Sequence, residues 1–148
     1  MPKEQSNHPL RGDQTVLLLY VEDQPCDVLL VTRLLQRRGG VALHVARSGA
    51  RGLQLARDLR PDVVLLDLHL PDLPGETVLH RLRALPGLGA TPVIVLSADA
   101  FPERAERLRA AGVTAYLTKP LDVAAFFAHL RALESQPPVS GALTGSVA

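Results

Sequence analysis

Five side chains that can do chemistry stand directly after four apolar segments of this chain. They are Glu22 and Asp23, then Asp67, Ser97 and Lys119. Carboxylates that are brought together repel one another, and a divalent cation relieves that repulsion. All-oxygen ligands favour Mg²⁺, which keeps several waters and takes only one or two carboxylates. A magnesium site is therefore one chemistry that these residues support.

The lysine and the hydroxyl can both meet an anionic group. Of the 16 Lys and Arg residues only Lys3 and Lys119 are lysines, so a lysine at position 119 calls for a reason. Its ammonium is a compact charge suited to an anionic oxygen, and the Ser97 hydroxyl can donate to another. With a metal, they would provide what phosphoryl transfer onto the Asp67 carboxylate needs. Taken alone, Asp67 could equally cap a turn.

Alternating strands and helices bring these side chains together. Each apolar segment precedes a helical pattern, which implies a parallel sheet with right-handed crossovers whose strand ends share one edge. Open α/β sheets hold their ligands at that edge. The segment 41–45 is less apolar and is expected at the side of the sheet. The predicted strands are 15–21, 41–45, 63–66, 92–96 and 115–118, and the predicted helices lie within 25–38, 48–60, 76–85, 101–111 and 122–133.

Details of the helices can be predicted as well. Ser48 and Asp122 are expected to cap helices. Cys26, near the start of the first helix, is expected to be a small buried residue rather than a redox sensor. His80 and the arginine-rich segment 103–109 are expected to be solvated. The inward apolar stripe of the first helix comprises Val28, Leu29, Val31, Leu34 and Leu35.

Length and composition describe one folded domain. With 148 residues and 47% hydrophobic content the chain can bury a core, and a net charge of +1 gives no electrostatic case for nucleic acid or anionic lipid. One cysteine suggests a reducing compartment, and no apolar run approaches the roughly 20 residues that span a bilayer. We expect a cytoplasmic protein with a domain at 14–134 and disordered tails at 1–13 and 135–148.

The residues at the strand ends form an ordered set of motifs. These are the Glu22–Asp23 pair, Asp67 with Pro71 and Gly75 downstream, Ser97 followed by Ala98, and Tyr116 before Lys119–Pro120. In this order the chain resembles the receiver domain of two-component response regulators, the chemotaxis-type single-domain form, over roughly residues 15–134. The resemblance implies an α/β fold of flavodoxin-like type. It is a doubly wound (βα)5 sandwich with a five-stranded parallel sheet of order 2-1-3-4-5.

The resemblance assigns roles to the residues at the sheet edge. Asp67 would be the phospho-acceptor, and Lys119 would pair with a phosphoryl oxygen. Mg²⁺ would be held by the side chains of Asp23 and Asp67 and by the backbone carbonyl of His69, with Glu22 acting through water. The chain would catalyse only its own phosphorylation and dephosphorylation, so it is not expected to be an enzyme with a separate substrate.

The same resemblance implies a switch. Ser97 would move toward the phosphoryl group, and Tyr116 would swing into the space that it leaves. This movement would remodel the face formed by helix four, strand five and helix five. His69 and Asp99 would flank the phosphoryl group and tune its lifetime. The peptide bond before Pro120 is typically cis in this family.

Partners follow from the same family likeness. The phosphoryl donor would be a histidine kinase or a phosphotransfer protein that docks around 26–30 and the loop after Lys119. Output would be contact with a downstream protein, and two copies could pair through the switch face. About 14 residues follow the last helix, too few for a helix-turn-helix, so direct DNA binding is not expected. Met1 and the loose tails favour a stand-alone receiver over the receiver module of a hybrid kinase phosphorelay.

Other functions fit a parallel α/β sheet less well. A Mg²⁺-dependent phosphatase with an aspartyl-phosphate intermediate usually carries a second aspartate two residues after the nucleophile, where this chain has His69. A flavin carrier needs a phosphate loop rich in Ser, Thr and Gly after strand one, and Glu22-Asp23-Gln24 would repel a phosphate. A pseudo-receiver used only for protein contact is disfavoured because every switch residue is present.

Overall fold

The computed structural model describes residues 15–99 and 101–135. Their five strands form one parallel sheet in the order β2-β1-β3-β4-β5, which confirms the predicted fold and the side position of β2. The predicted tails lie outside the described residues, apart from Ser135. The prediction is wrong for Ser135, because its N–H donates to the Arg131 carbonyl at 3.1 Å and so caps the end of the last helix. The strands are β1 Val16–Val21, β2 Val41–Ala46, β3 Val63–Asp67, β4 Val93–Ser97 and β5 Ala115–Thr118, and the helices are α1 Pro25–Arg38, α2 Gly49–Leu59, α3 Gly75–Ala84, α4 Pro102–Ala110 and α5 Val123–Glu134.

Helices cover both faces of the sheet, so the central strands are buried throughout. Every residue of β1, β3 and β4 is buried, as their near-continuous apolar runs require. Side chains of α2, α3 and α4 pack with one face of these strands, and side chains of α1 and α5 pack with the other. Alternate residues of a strand therefore enter different cores, as Leu65 and Leu66 do. Because the strands are buried on both faces, their ends, which carry the polar residues, are held in place.

Several helices begin at residues that stabilise a helix N-terminus. The Ser48 hydroxyl accepts a hydrogen bond from the backbone N–H of Arg51, and the Asp122 carboxylate accepts one from that of Ala125. Both predicted caps are confirmed. Pro25 and Pro102 stand in first turns, where a missing N–H costs no helical hydrogen bond. Within 15–99 and 101–135, no helix combines the length and the hydropathy that crossing a bilayer requires.

Two predictions for α1 are wrong. Cys26 is exposed, and Leu29 is 51% exposed rather than part of the inward stripe. The helix is anchored by Val31 and Leu35, which are one turn apart and buried against the sheet. Leu29 lies two residues before Val31, a rotation of about 200° around the helix axis, and therefore faces outward. Cys26 shares that outer side because it is three residues before Leu29.

Candidate functional site

Three carboxylates meet at the carboxyl edge of the sheet. β1 and β3 are neighbours, with Val21 paired to Leu66, so the residues that follow them come to the same place. Glu22, Asp23 and Asp67 each offer an oxygen, and these oxygens lie within 4.8 Å of one another. Glu22 and Asp67 are buried, at 0% and 1% exposure. The predicted convergence of these strand ends is therefore observed.

The Asp23 carboxylate supports a cation at this position. Among the described residues its Oδ1 is the one buried side-chain oxygen or nitrogen without a hydrogen-bond partner. Burying an unpaired carboxylate oxygen is costly, and native structures contain few such atoms. A divalent cation bound between Asp23 and Asp67 would satisfy this oxygen and offset the repulsion among the three carboxylates. The residues present therefore fit Mg²⁺.

Both carboxylate oxygens of Glu22 accept hydrogen bonds from neighbouring groups. Its Oε1 accepts hydrogen bonds from the Tyr20 hydroxyl at 3.0 Å and from Lys119 at 3.0 Å, and its Oε2 accepts one from the Gln24 N–H at 3.2 Å. Burial raises the pKa of Tyr20, and the adjacent Glu22 charge raises it further, so Tyr20 remains a donor. Glu22 therefore has a fixed orientation next to Asp67.

Lys119 is the cation of the cluster. Its Nζ lies 3.8 Å from Asp67 Oδ1 and donates to Glu22 and, at 2.9 Å, to Asp27 Oδ2. Burial lowers the pKa of Lys119, but the hydrogen bonds to Asp27 and Glu22 outweigh it, so the pKa lies above its usual range. Sequence reasoning missed Asp27. Its place as an acidic residue in the first turn of α1, four residues after Asp23, was the available signal.

Asp67 binds protons more tightly than an ordinary aspartate. Burial raises its pKa to about 6, and the Glu22 charge acts in the same direction. The His69 N–H, which donates to Asp67 Oδ1 at 3.2 Å, and the Lys119 ammonium both oppose this rise. At neutral pH the carboxylate is therefore mostly ionised, as a nucleophile must be.

The remaining predicted residues lie around Asp99, in the loop between β4 and α4. The buried Ser97 hydroxyl accepts a hydrogen bond from the Asp99 N–H at 3.1 Å, and the Tyr116 hydroxyl donates to the Asp99 carbonyl at 2.8 Å. His69 Nε2 lies 3.1 Å from Asp99 Oδ2. The Lys119–Pro120 peptide bond is cis. Ser97, Tyr116 and His69 thus all contact the loop residue Asp99.

Gly75 and Asp72 hold the loop between β3 and α3, which carries His69. A Cβ at Gly75 would lie 2.5 Å from the Leu68 Cα, so only glycine fits this approach. Asp72 accepts hydrogen bonds from the N–H groups of Gly49 at 2.8 Å and Ala50 at 2.9 Å, at the start of α2. These two hydrogen bonds lower the pKa of Asp72. Asp72 therefore links the His69 loop to the second helix.

Replacing Asp72 by Ala is expected to lower the free energy of unfolding by about 1 kcal/mol, because the Gly49 and Ala50 N–H groups at the start of α2 lose their acceptor. Since the folded pKa of Asp72 is lowered, its contribution is present above the unfolded pKa and is lost as the pH falls through the folded pKa. Urea unfolding at neutral pH measures the change. Asp58→Ala on the exposed side of α2 is the control and should stay within about 0.5 kcal/mol. If Asp72→Ala and the unchanged chain unfold at the same urea concentration, the prediction is contradicted.

Comparison with known proteins identifies the class. The family model of the response regulator receiver domain matches residues 18–131. The probable transcriptional regulatory protein TcrX of Mycobacterium tuberculosis is 42% identical over 122 residues, which is 81% of this chain and 50% of TcrX. The polar-differentiation response regulator DivK of Brucella anthropi is 33% identical over 114 residues, or 77% of this chain and 92% of DivK. This chain belongs to the response regulator receiver domain family, and it spans about half the length of TcrX.

A solved structure with the same fold contains a metal ion. The receiver domain of the sensor histidine kinase PA1611 from Pseudomonas aeruginosa superposes with a TM-score of 0.73 at 27% identity, covering 82% of this chain and 98% of that chain. Its crystal structure holds a magnesium ion coordinated in the active site cleft. The chain described here is thus a signalling module of two-component systems, with an acidic cluster that fits a phosphorylation site.

Proposed function

We propose that this receiver accepts a phosphoryl group on Asp67 from a histidine kinase or a phosphotransfer protein, and thereby switches a protein-contact surface. The observation that carries the proposal is the meeting of three carboxylates with the Lys119 ammonium 3.8 Å from Asp67 Oδ1. An ionised carboxylate beside an ammonium group has the nucleophile and the positive charge that phosphoryl transfer needs. The receiver domain would cover 14–134.

The transfer would form one bond and break one. An Asp67 carboxylate oxygen attacks phosphorus as the P–N bond of a phosphohistidine breaks, and the departing imidazole takes up a proton. Lys119 neutralises charge on a phosphoryl oxygen, and Ser97 donates a hydrogen bond to another. Mg²⁺ would be held by the side chains of Asp23 and Asp67 and the His69 carbonyl, with Glu22 through water. When bound, it would supply positive charge for the phosphoryl oxygens.

The switch would couple this site to the face formed by α4, β5 and α5. Ser97 moves toward the phosphoryl group, and Tyr116 occupies the space that it leaves. The contacts of both side chains with Asp99 support this coupling, because one loop residue joins them. His69 and Asp99 flank the phosphoryl group and tune its lifetime. The altered face would bind a downstream protein or a second copy of the chain.

The donor would dock on the outer side of α1. Leu29 and Leu30 are 51% and 45% exposed, which supports a protein contact next to the acidic cluster. The protein would act in the cytoplasm and catalyse only its own phosphorylation and dephosphorylation. The likeness to PA1611, a sensor histidine kinase, favours a second role for the same chemistry, as the receiver module of a hybrid kinase.

Exposure to acetyl phosphate with Mg²⁺ tests the proposal. In this reaction a P–O bond of the donor breaks and acetate leaves. Intact-mass spectrometry should show a gain of one phosphoryl group, which hydroxylamine removes because the product is an acyl phosphate. EDTA in place of Mg²⁺ should prevent the gain. A chain that gains no mass, or whose label resists hydroxylamine, would exclude an aspartyl-phosphate switch.

A further inference from the structure

Asp99 joins the two switch side chains to two further ionisable groups. Its backbone contacts the hydroxyls of Ser97 and Tyr116. Its carboxylate Oδ2 lies 3.1 Å from His69 Nε2 and 3.2 Å from Arg104 Nη1. A displacement of Asp99 must therefore alter both switch hydroxyls. Whatever fixes its carboxylate therefore also affects the position of the Ser97 hydroxyl.

Arg104 is the better fixed of the two groups that contact the Asp99 carboxylate. Its side chain is 19% exposed, whereas that of His69 is 51% exposed. It forms two hydrogen bonds with Glu76, from Nε at 2.6 Å and from Nη2 at 3.0 Å. A paired contact of this kind fixes the plane of the guanidinium. These hydrogen bonds raise the pKa of Arg104 and lower that of Glu76, which is consistent with a tight ion pair.

The ion pair joins the helices that follow the loops after β3 and β4. Glu76 lies in the first turn of α3, directly after the loop with His69, and Arg104 lies in the first turn of α4, after the loop with Asp99. Arg104 also lines the same surface cleft as Asp23 and His69. Arg104 therefore contacts Asp99 in the loop after β4 and also borders the cleft that Asp23 and His69 line.

We propose that Arg104 is a positioning residue for phosphoryl transfer. Glu76 holds it in place so that it fixes Asp99 and, through Asp99, the position from which the Ser97 hydroxyl reaches the phosphoryl group. The inference rests on the proposed function. Arg104 needs no contact with the phosphoryl group in this role, since it acts through the loop. Positioning of a catalytic group contributes strongly to rate, because a displacement of about 1 Å can cost as much as a hundredfold.

Arg104→Gln should slow phosphoryl uptake from acetyl phosphate about tenfold, because the Ser97 hydroxyl is displaced by part of the distance that would cost a hundredfold. Its dissociation constant for Mg²⁺ should stay within about twofold, because Asp23 and Asp67 are unchanged. Arg109→Gln, the same charge change at an exposed site of α4, should match the unchanged chain in both measurements. An uptake rate in Arg104→Gln within twofold of the unchanged chain, or an equal loss in Arg109→Gln, overturns the proposal.

A double-variant cycle tests the order of action. Glu76→Gln should slow uptake less than Arg104→Gln, because the guanidinium still reaches Asp99. The double variant should be no slower than Arg104→Gln alone, since Glu76 acts only through Arg104. If the two losses multiply, Glu76 has a separate role and the proposed order is wrong.

A readout without phosphorylation separates this inference from the proposed function. In NMR spectra of the unphosphorylated chain, Arg104→Gln should shift the Tyr116 ring signals and the Ser97 and Asp99 amide signals, and Arg109→Gln should not. Unmoved signals in Arg104→Gln contradict the positioning role. If the signals move but even the unchanged chain takes up no phosphoryl group, the proposed function fails while the contact network is upheld.

Discussion

Asp67→Asn is expected to take up no phosphoryl group under conditions that fully label the unchanged chain. The carboxamide has no anionic oxygen to attack phosphorus and no means to form an acyl phosphate. Loss of a nucleophile lowers rates by large factors, here at least about a hundredfold. The two nearest carboxylates are poor substitutes. Glu22 is hydrogen-bonded on both oxygens, and Asp23 belongs to the predicted metal site.

Intact mass and hydroxylamine lability measure this result. Asp58→Asn is a matched control because it makes the same chemical change on the exposed side of α2, and it should label fully. A hydroxylamine-labile group that persists in Asp67→Asn would show that another carboxylate is the acceptor. In that case Asp67→Asn combined with Asp23→Asn would test the nearest alternative.

The strand ends could be predicted from sequence because all strands of a parallel sheet end at one edge, and the family resemblance supplied the strand order. Once β1 and β3 are parallel neighbours, Glu22 and Asp67 must lie side by side. The same reasoning predicted that Ser97 and Lys119 also lie at that edge. Glu22, Asp67 and Ser97 each end or follow a buried apolar strand, and this pattern predicts where their side chains lie.

The contacts made by the helices could not be predicted in the same way. Asp27 bonds to Lys119 across 92 residues of sequence, and Glu76 bonds to Arg104 across 28. Such pairs depend on the rotation of each helix about its axis, which periodicity gives only approximately. The exposed Leu29 shows the same limit, because a broad apolar stripe does not reveal which residue faces the sheet.

The ionised Asp67 is expected to destabilise the metal-free fold at neutral pH. Its pKa is about 6 in the folded chain against an ordinary value of 3.8, so the folded state binds the proton more tightly. Well above pH 6 Asp67 is ionised in both the folded and the unfolded state, and the folded state is destabilised by the full amount, at most about 3 kcal/mol. As the pH falls from 6 toward 3.8, the folded state is protonated first and the cost disappears.

Asp67→Asn should therefore raise the free energy of unfolding at pH 7 without Mg²⁺, by up to about 3 kcal/mol. The gain should shrink as the pH is lowered toward 4, because the protonated aspartate resembles the amide. Added Mg²⁺ should stabilise the unchanged chain, by about 2.7 kcal/mol at a hundredfold excess over its dissociation constant, and should stabilise Asp67→Asn less. Urea unfolding at several pH values, with Asp58→Asn as control, measures both effects. A metal-free Asp67→Asn that is less stable than the unchanged chain at pH 7 would mean that the Lys119 and His69 contacts outweigh the burial of the charge.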